Sequence, residues 1–248
     1  MNLCIDIGNT RTKLGLFEEA VLVEDWTTNH LTISGLKSDL ANRPVHRVIV
    51  SSVAASDPEL MQGLSAWKRV LELSHQTALP FENRYQTPLT LGKDRLAAVA
   101  GAQSLYAGQN NLIVDFGTCI KTEILTADGV YLGGNIAPGA TMRIQAMHHF
   151  TARLPIVDMQ MPESNIGIST ETALQNGALR GVVYELEAYI RMMQTMFDSF
   201  NVLFSGGDAE FFKKHCALGN VFVEPKLLLH GLNNILNFNS LQSGAPQV

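Results

Sequence analysis

The sequence predicts an α/β protein built as two duplicated α/β domains that face one another across a cleft. Three observations lead there. An apolar strand ending in Asp-x-Gly occurs twice, as Leu3-Cys4-Ile5-Asp6-Ile7-Gly8 and Leu112-Ile113-Val114-Asp115-Phe116-Gly117, 109 residues apart. Strand-like and helix-like segments alternate along the chain. The 248 residues, 46% of them hydrophobic, are enough to fill real cores. The boundary falls near Gly108, giving an N-terminal domain over residues 1–108 and a C-terminal domain over 109–248.

Residues 3–17 read as a hairpin, two apolar runs flanking the turn formers Gly8-Asn9-Thr10. A β-rich run follows at 45–53. A short helix over 57–67 opens at Asp57-Pro58, and a strand returns at 70–73. From 91 to 106 the small and apolar residues Leu96, Ala97, Ala100, Gly101, Ser104 and Leu105 recur at helical spacing, which places Gly92-Lys93-Asp94-Arg95 at a helix N-terminus, where anions are favoured. The second half adds a turn at Gly133-Gly134-Asn135, a helix after Pro138-Gly139, and a long helix over 170–197. It ends with a strand at 201–204 and the glycine turn Ser205-Gly206-Gly207-Asp208. Beyond Asn237 the tail is polar and aperiodic, and is expected to be loose.

Composition narrows the function. A net charge of -5, from 18 basic and 23 acidic residues without a Lys/Arg cluster, lacks the footprint of a nucleic-acid binder. The cysteines Cys4, Cys119 and Cys216 lie far apart, so neither a disulfide framework nor a CxxC metal site follows, and a reducing cytoplasm fits. Asp6 interrupts the apolar N-terminus, and no apolar run approaches a membrane span, so a soluble, unprocessed chain is expected. His148 and His149 diverge on a helix and have no third ligand nearby, so they read as surface residues. Met192, Met193 and Met196 read as core or subunit interface. P-loop, Rossmann and protein-kinase motifs are absent.

The chemistry sits in the repeated hairpins. A carboxylate at a strand tip, followed by glycine and turned backbone N–H groups, suits phosphate and Mg²⁺. One such hairpin is as readily an ordinary turn. Two of them, with a late Ser-Gly-Gly-Asp-Ala turn before a helix, form the signature of the actin-like, sugar-kinase and heat-shock ATPase superfold, whose two domains are ribonuclease-H-like.

The motif order Asp6-x-Gly-Asn-Thr, Tyr85, Gly92-x-Asp94-Arg95, Asp115-x-Gly-Thr118, Gly133-Gly134-x-Ile136-x-Pro138-Gly139, Gly167-x-x-Thr170 and Ser205-Gly206-Gly207 resembles type III pantothenate kinase over nearly the whole chain. The resemblance implies transfer of the ATP γ-phosphate to pantothenate for coenzyme A synthesis. It implies that Asp6, Ile7, Gly8, Asn9, Thr10, Arg11, Thr12 and Lys13 contact ATP with Mg²⁺, with Thr118 a second ATP contact. Tyr85, Gly92, Lys93, Asp94, Arg95 and Thr170 would shape the pantothenate pocket, with Asp94 as general base. Asp115 would ligate a monovalent cation, K⁺ or NH₄⁺, that stimulates turnover. A homodimer with pockets near the subunit interface is also implied. The long helix, carrying Ala173, Leu174, Ala178, Val182, Val183, Leu186, Ile190 and Met193, offers more apolar surface than one small domain needs and so favours a dimer.

The bland readings stand beside these roles. Asp94-Arg95 alone is a charge pair in a helix's first turn, Tyr85 a half-buried loop aromatic, and Thr170 an N-cap. The chain also departs from the family pattern at Cys119, Ile120 and Lys121, and at Glu123, where Asp is common; a lysine ammonium reaching the cleft would take over part of the cation's role. Two alternatives remain open: a kinase of this fold acting on another hydroxylated substrate, and a nucleotide-binding regulatory protein without turnover. Asp94 and Arg95 favour catalysis over the latter.

Overall fold

The computed structural model describes residues 1–8, 11–52, 57–217 and 220–243, and in it the sequence repeat is a repeat of topology. The first copy contains β1 (Asn2–Ile7), β2 (Thr12–Glu18), β3 (Val21–Thr28), β4 (Arg47–Ser52) and β5 (Arg69–Glu72), in the order β3-β2-β1-β4-β5. The short β6 (Glu82–Asn83) comes next in the chain. The second copy contains β7 (Asn111–Phe116), β8 (Cys119–Leu125), β9 (Val130–Pro138), β10 (Asn201–Gly206) and β11 (Val221–Val223), in the order β11-β10-β7-β8-β9. Both copies thus place the Asp-bearing strand centrally, with a meander on one side and two parallel strands on the other. β1 runs antiparallel to β2 and parallel to β4, which puts Asp6 opposite Ser51. β7 runs parallel to β10, which puts Asp115 opposite Ser205.

Alternation along β1 decides what each face packs against. Leu3 and Ile5 join Leu14, Leu16, Val48 and Val50 in a core closed by Leu36 of α1 (Ile33–Asp39) and by Leu60 and Leu64 of α2 (Pro58–Trp67). Asp57 caps α2, its carboxylate accepting from the N–H groups of Glu59 and Leu60. On the opposite face Asn2 donates to Asn233 and Asn237 of α8 (Leu227–Ser243), at 2.7 and 2.9 Å. In turn, α8 packs closely on α3 (Lys93–Leu105): a Cβ at Gly231 would overlap the Ala97 carbonyl oxygen.

This packing decides how the chain divides. One compact unit holds Met1–Gly108, Leu125–Leu132 and Lys226–Val248; the other holds Gln109–Ile124 and Gly133–Pro225. Residues 226–243 therefore pack with the first half of the chain, not within a contiguous 109–248. Within the first unit, β6 pairs with the start of β9 through Glu82↔Val130 and Asn83↔Tyr131. The core of the second unit gathers Leu112, Val114 and Phe116 of β7 with Val202 and Phe204 of β10. It also includes Val182, Val183, Leu186, Ile190 and Met193 of α6 (Gly181–Met196) and Phe212 of α7 (Ala209–His215).

Four expectations change. The turn at Gly133-Gly134-Asn135 is instead the middle of β9, and the glycine is needed because a Cβ at Gly134 would overlap the Thr122 carbonyl oxygen. The helix over 170–197 is divided into α5 (Thr170–Gln175), a π turn over Asn176–Arg180, and α6. The tail is helical through Ser243: Asn239 donates to the Ala78 carbonyl at 2.9 Å and Ser240 to the Leu236 carbonyl at 2.8 Å, so polar side chains hold a helix that apolar periodicity does not mark. Finally, Leu174, Ala178, Val182, Val183, Leu186, Ile190 and Met193 are all covered by their own chain, so this face supplies no surplus for a dimer. The helix after Pro138-Gly139 is α4 (Ala140–His149).

Candidate active site

In the first unit, β1 delivers Asp6 to the strand end as a buried carboxylate, with Ile7 and Gly8 beyond it. The Gly8 N–H donates to the Arg11 carbonyl at 3.2 Å, closing the turn. The chain returns with Arg11 exposed, Thr12 buried and opposite Ile7, and Lys13 half-buried and opposite Asp6. Asn9 and Thr10 lie outside the described residues.

Gly92 caps α3 through its backbone, and Asp94 occupies the first turn, half-buried, its Oδ1 accepting from the Arg95 N–H at 3.0 Å. Arg95 is 4% exposed, so its charge requires partners inside the protein. One guanidinium nitrogen donates to the Tyr131 hydroxyl at 3.0 Å and another reaches the Tyr85 hydroxyl at 3.4 Å. The guanidinium carbon lies 5.1 Å from the Tyr85 ring centre, within cation–π range. Tyr85 and Tyr131 are near parallel at 6.2 Å, and Phe81 meets Tyr131 edge-on. Lys93 points elsewhere, with its ammonium 3.7 Å from Glu72. A carboxylate and a held guanidinium therefore share one helix N-terminus, a pairing suited to an acceptor that has both a hydroxyl and an anionic group.

In the second unit, β7 carries Asp115 to its end, and Lys121 returns on β8 with its ammonium 2.7 Å from Asp115 Oδ2. Only 13% of the Asp115 side chain and 16% of the Lys121 side chain are exposed. Thr118 is exposed in the intervening turn, its carbonyl accepting from the Gly139 N–H at 3.1 Å. Thr170 is not the N-cap of α5. Ser169 is, in a capping box with Thr172, which leaves the Thr170 hydroxyl on the exposed first turn without a capping role. Burial raises the Asp208 carboxyl above its ordinary value in the glycine turn after β10.

The environment of Asp115 does not fit a bound monovalent cation. Its carboxylate already faces an ammonium at contact distance, and a second cation there would meet that charge at short range with little water between them. Among the described residues, no group of three or more His, Cys, Asp or Glu side chains is arranged to hold a metal. At Asp6 the oxygen donor chemistry suits Mg²⁺.

Reading the sequence missed Ser51 and Tyr131, and placed Ser205 in the glycine turn, where the structure keeps it within β10. The two serine hydroxyls are fully buried beside the Asp-bearing strand ends and make no hydrogen bond among the described residues. Their signal was available: Val48-Ile49-Val50-Ser51 and Val202-Leu203-Phe204-Ser205 extend the internal repeat. Tyr131 carries no such mark.

Comparison with known proteins identifies the family and the fold. The family model for type III pantothenate kinase matches residues 2–192. The type III pantothenate kinase of Christiangramia forsetii is 39% identical over 244 residues, covering 98% of this chain and 100% of that one. Among solved structures, a Campylobacter jejuni protein described as a Baf family transcriptional activator superposes with a TM-score of 0.64 at 20% identity, over 96% of this chain and 99% of that chain. A ROK family protein from Streptococcus pneumoniae, solved with sucrose, gives 0.52 at 12% identity over 97% and 99%. The structural likenesses show the fold, a duplicated ribonuclease-H-like architecture of the actin-like kind, and the sequence matches go further: the chain belongs to the type III pantothenate kinase family.

Proposed function

We propose that this chain transfers the γ-phosphate of ATP to the primary hydroxyl of pantothenate, giving 4'-phosphopantothenate in the first step of coenzyme A biosynthesis. The family match over residues 2–192 carries the reading. The chemistry at the start of α3 supports it. Pantothenate has a carboxylate at one end and the reacting hydroxyl at the other, and Arg95 and Asp94 answer those two groups.

In this mechanism Arg95 pairs with the pantothenate carboxylate, and Tyr85 shapes the pocket together with the backbone of Gly92 and Lys93, the Lys93 ammonium being turned toward Glu72. Asp94 accepts the proton of the attacking hydroxyl. The hydroxyl oxygen bonds to Pγ as the bond from Pγ to the β,γ-bridging oxygen breaks, ADP departs, and Asp94 returns its proton to water. Residues 6–13 and Thr118 hold ATP, and Asp6 is the residue suited to Mg²⁺, which when bound neutralises charge on the phosphates. A positioned general base contributes on the order of 10²–10⁴-fold in rate, and alignment contributes much of the rest.

The proposal places the enzyme in the cytoplasm; no helix among the described residues is long and apolar enough to cross a membrane. It includes a homodimer, as the family resemblance implies, formed by surfaces other than the buried face of α6. The monovalent cation has no step in it, since Lys121 holds the place at Asp115. ADP release measured over a panel of hydroxylated acceptors tests the function. Pantothenate is expected to give the highest kcat/KM; preference for a sugar would move the assignment to another kinase, and no acceptor-dependent release would leave a binding protein.

A further inference from the structure

We infer that Lys121 is a built-in monovalent cation: its ammonium supplies at Asp115 the positive charge that a dissociable ion would otherwise bring, so the protein works without K⁺ or NH₄⁺. The inference rests on the kinase reading for its consequence in catalysis, but not for its geometry. Lys121 Nζ lies 2.7 Å from Asp115 Oδ2, a charge-assisted hydrogen bond, with both side chains largely withdrawn from water. Screening there is weak, so one positive charge satisfies the carboxylate and a second is repelled.

The local fold explains how the lysine arrives. Asp115 is near the end of β7 and Lys121 near the start of β8, and the tight turn at Gly117-Thr118 joins them, with the Gly117 N–H donating to the Cys119 carbonyl at 3.2 Å. In the other copy of the repeat, Lys13 stands opposite Asp6 in register across β1 and β2. A tethered ammonium need not be recruited from solution, so its occupancy does not depend on salt composition.

The test uses the full-length protein, freed of K⁺ and NH₄⁺ and held in choline chloride, with KCl substituted at constant ionic strength. Melting temperature with MgATP and pantothenate-dependent ADP release are both recorded. The wild type is expected to show no K⁺-specific change in melting temperature and rates in choline and potassium within about twofold. Lys121→Thr is expected to lose rate in choline and to recover at least about tenfold with K⁺ or NH₄⁺, with a saturable rise in melting temperature. Lys121→Arg, which keeps the charge, is expected to remain indifferent to K⁺ at whatever rate it runs. A wild type that K⁺ stabilises or accelerates beyond twofold overturns the inference, whether or not Lys121→Thr folds. So does a folded Lys121→Thr that keeps full turnover and ignores K⁺. If no buffer gives ADP release, the kinase reading falls, and the melting data still decide whether K⁺ binds.

Discussion

The Arg95 guanidinium on α3 donates to the Tyr131 hydroxyl on β9 at 3.0 Å, joining residues 36 positions apart in one buried contact. Neither is a turn or cap residue, and neither side chain is more than 4% exposed. The contact fixes the direction of the one guanidinium assigned to the substrate carboxylate.

Tyr131→Phe removes that hydroxyl and keeps the ring that stacks on Tyr85. A hydrogen bond to a charged group contributes about 1.5–3 kcal/mol, so a loss on the order of tenfold or more in kcat/KM for pantothenate is expected. The loss should appear mainly in KM, since Arg95 acts on binding. A lower melting temperature with KM unchanged would make Tyr131 a packing residue only.

Asp94→Asn keeps an oxygen to accept from the Arg95 N–H but removes the proton acceptor. Turnover is expected to fall on the order of 10²–10⁴-fold, with ATP affinity and melting temperature nearly unchanged. Near-normal turnover in a folded variant would sink the assignment, and a lower melting temperature with intact turnover would mark a first-turn structural Asp, worth about 1 kcal/mol.

Leu186→Ala opens a cavity inside the second unit's own core, where Leu186 is 2% exposed. It is expected to destabilise folding by about 2–5 kcal/mol, by the same amount at every protein concentration. Denaturation midpoints that shifted with concentration more than in wild type would return this face to a subunit interface.

Gly231→Ala tests the contact between α8 and α3, since the added Cβ would overlap the Ala97 carbonyl oxygen. Overpacking of this kind typically costs about 1–3 kcal/mol, and because Asp94 lies three residues before Ala97 on α3, a shift of the helix should also lower turnover. A variant with wild-type melting temperature would contradict the close approach.

Whatever depends on short stretches of chain was legible from the sequence alone. The two Asp-x-Gly strand ends, the helix that opens at Gly92 and the Asp57 cap with Pro58 follow from alternation, capping and turn chemistry, which act over a few residues, while the family came from the resemblance of the motif order. The repeat even extends to Ser51 and Ser205, whose burial beside Asp6 and Asp115 only the sheets reveal.

Tertiary structure decided which surfaces are covered and which charges meet. Gly133-Gly134 reads locally as a turn, yet the neighbouring Thr122 carbonyl requires a strand without side chains there. The aperiodic stretch from Asn237 to Ser243 is helical, and its polar side chains bond to backbone, in one case as far away as Ala78. The apolar stripe of α6 looked like surplus until the β-sheet of its own unit covered it. Lys121 was visible as a departure from the family pattern, but only the β7–β8 hairpin puts its ammonium on Asp115. Burial and ion pairing depend on segments distant in sequence, so local pattern specified the elements and their caps, while packing chose the partners.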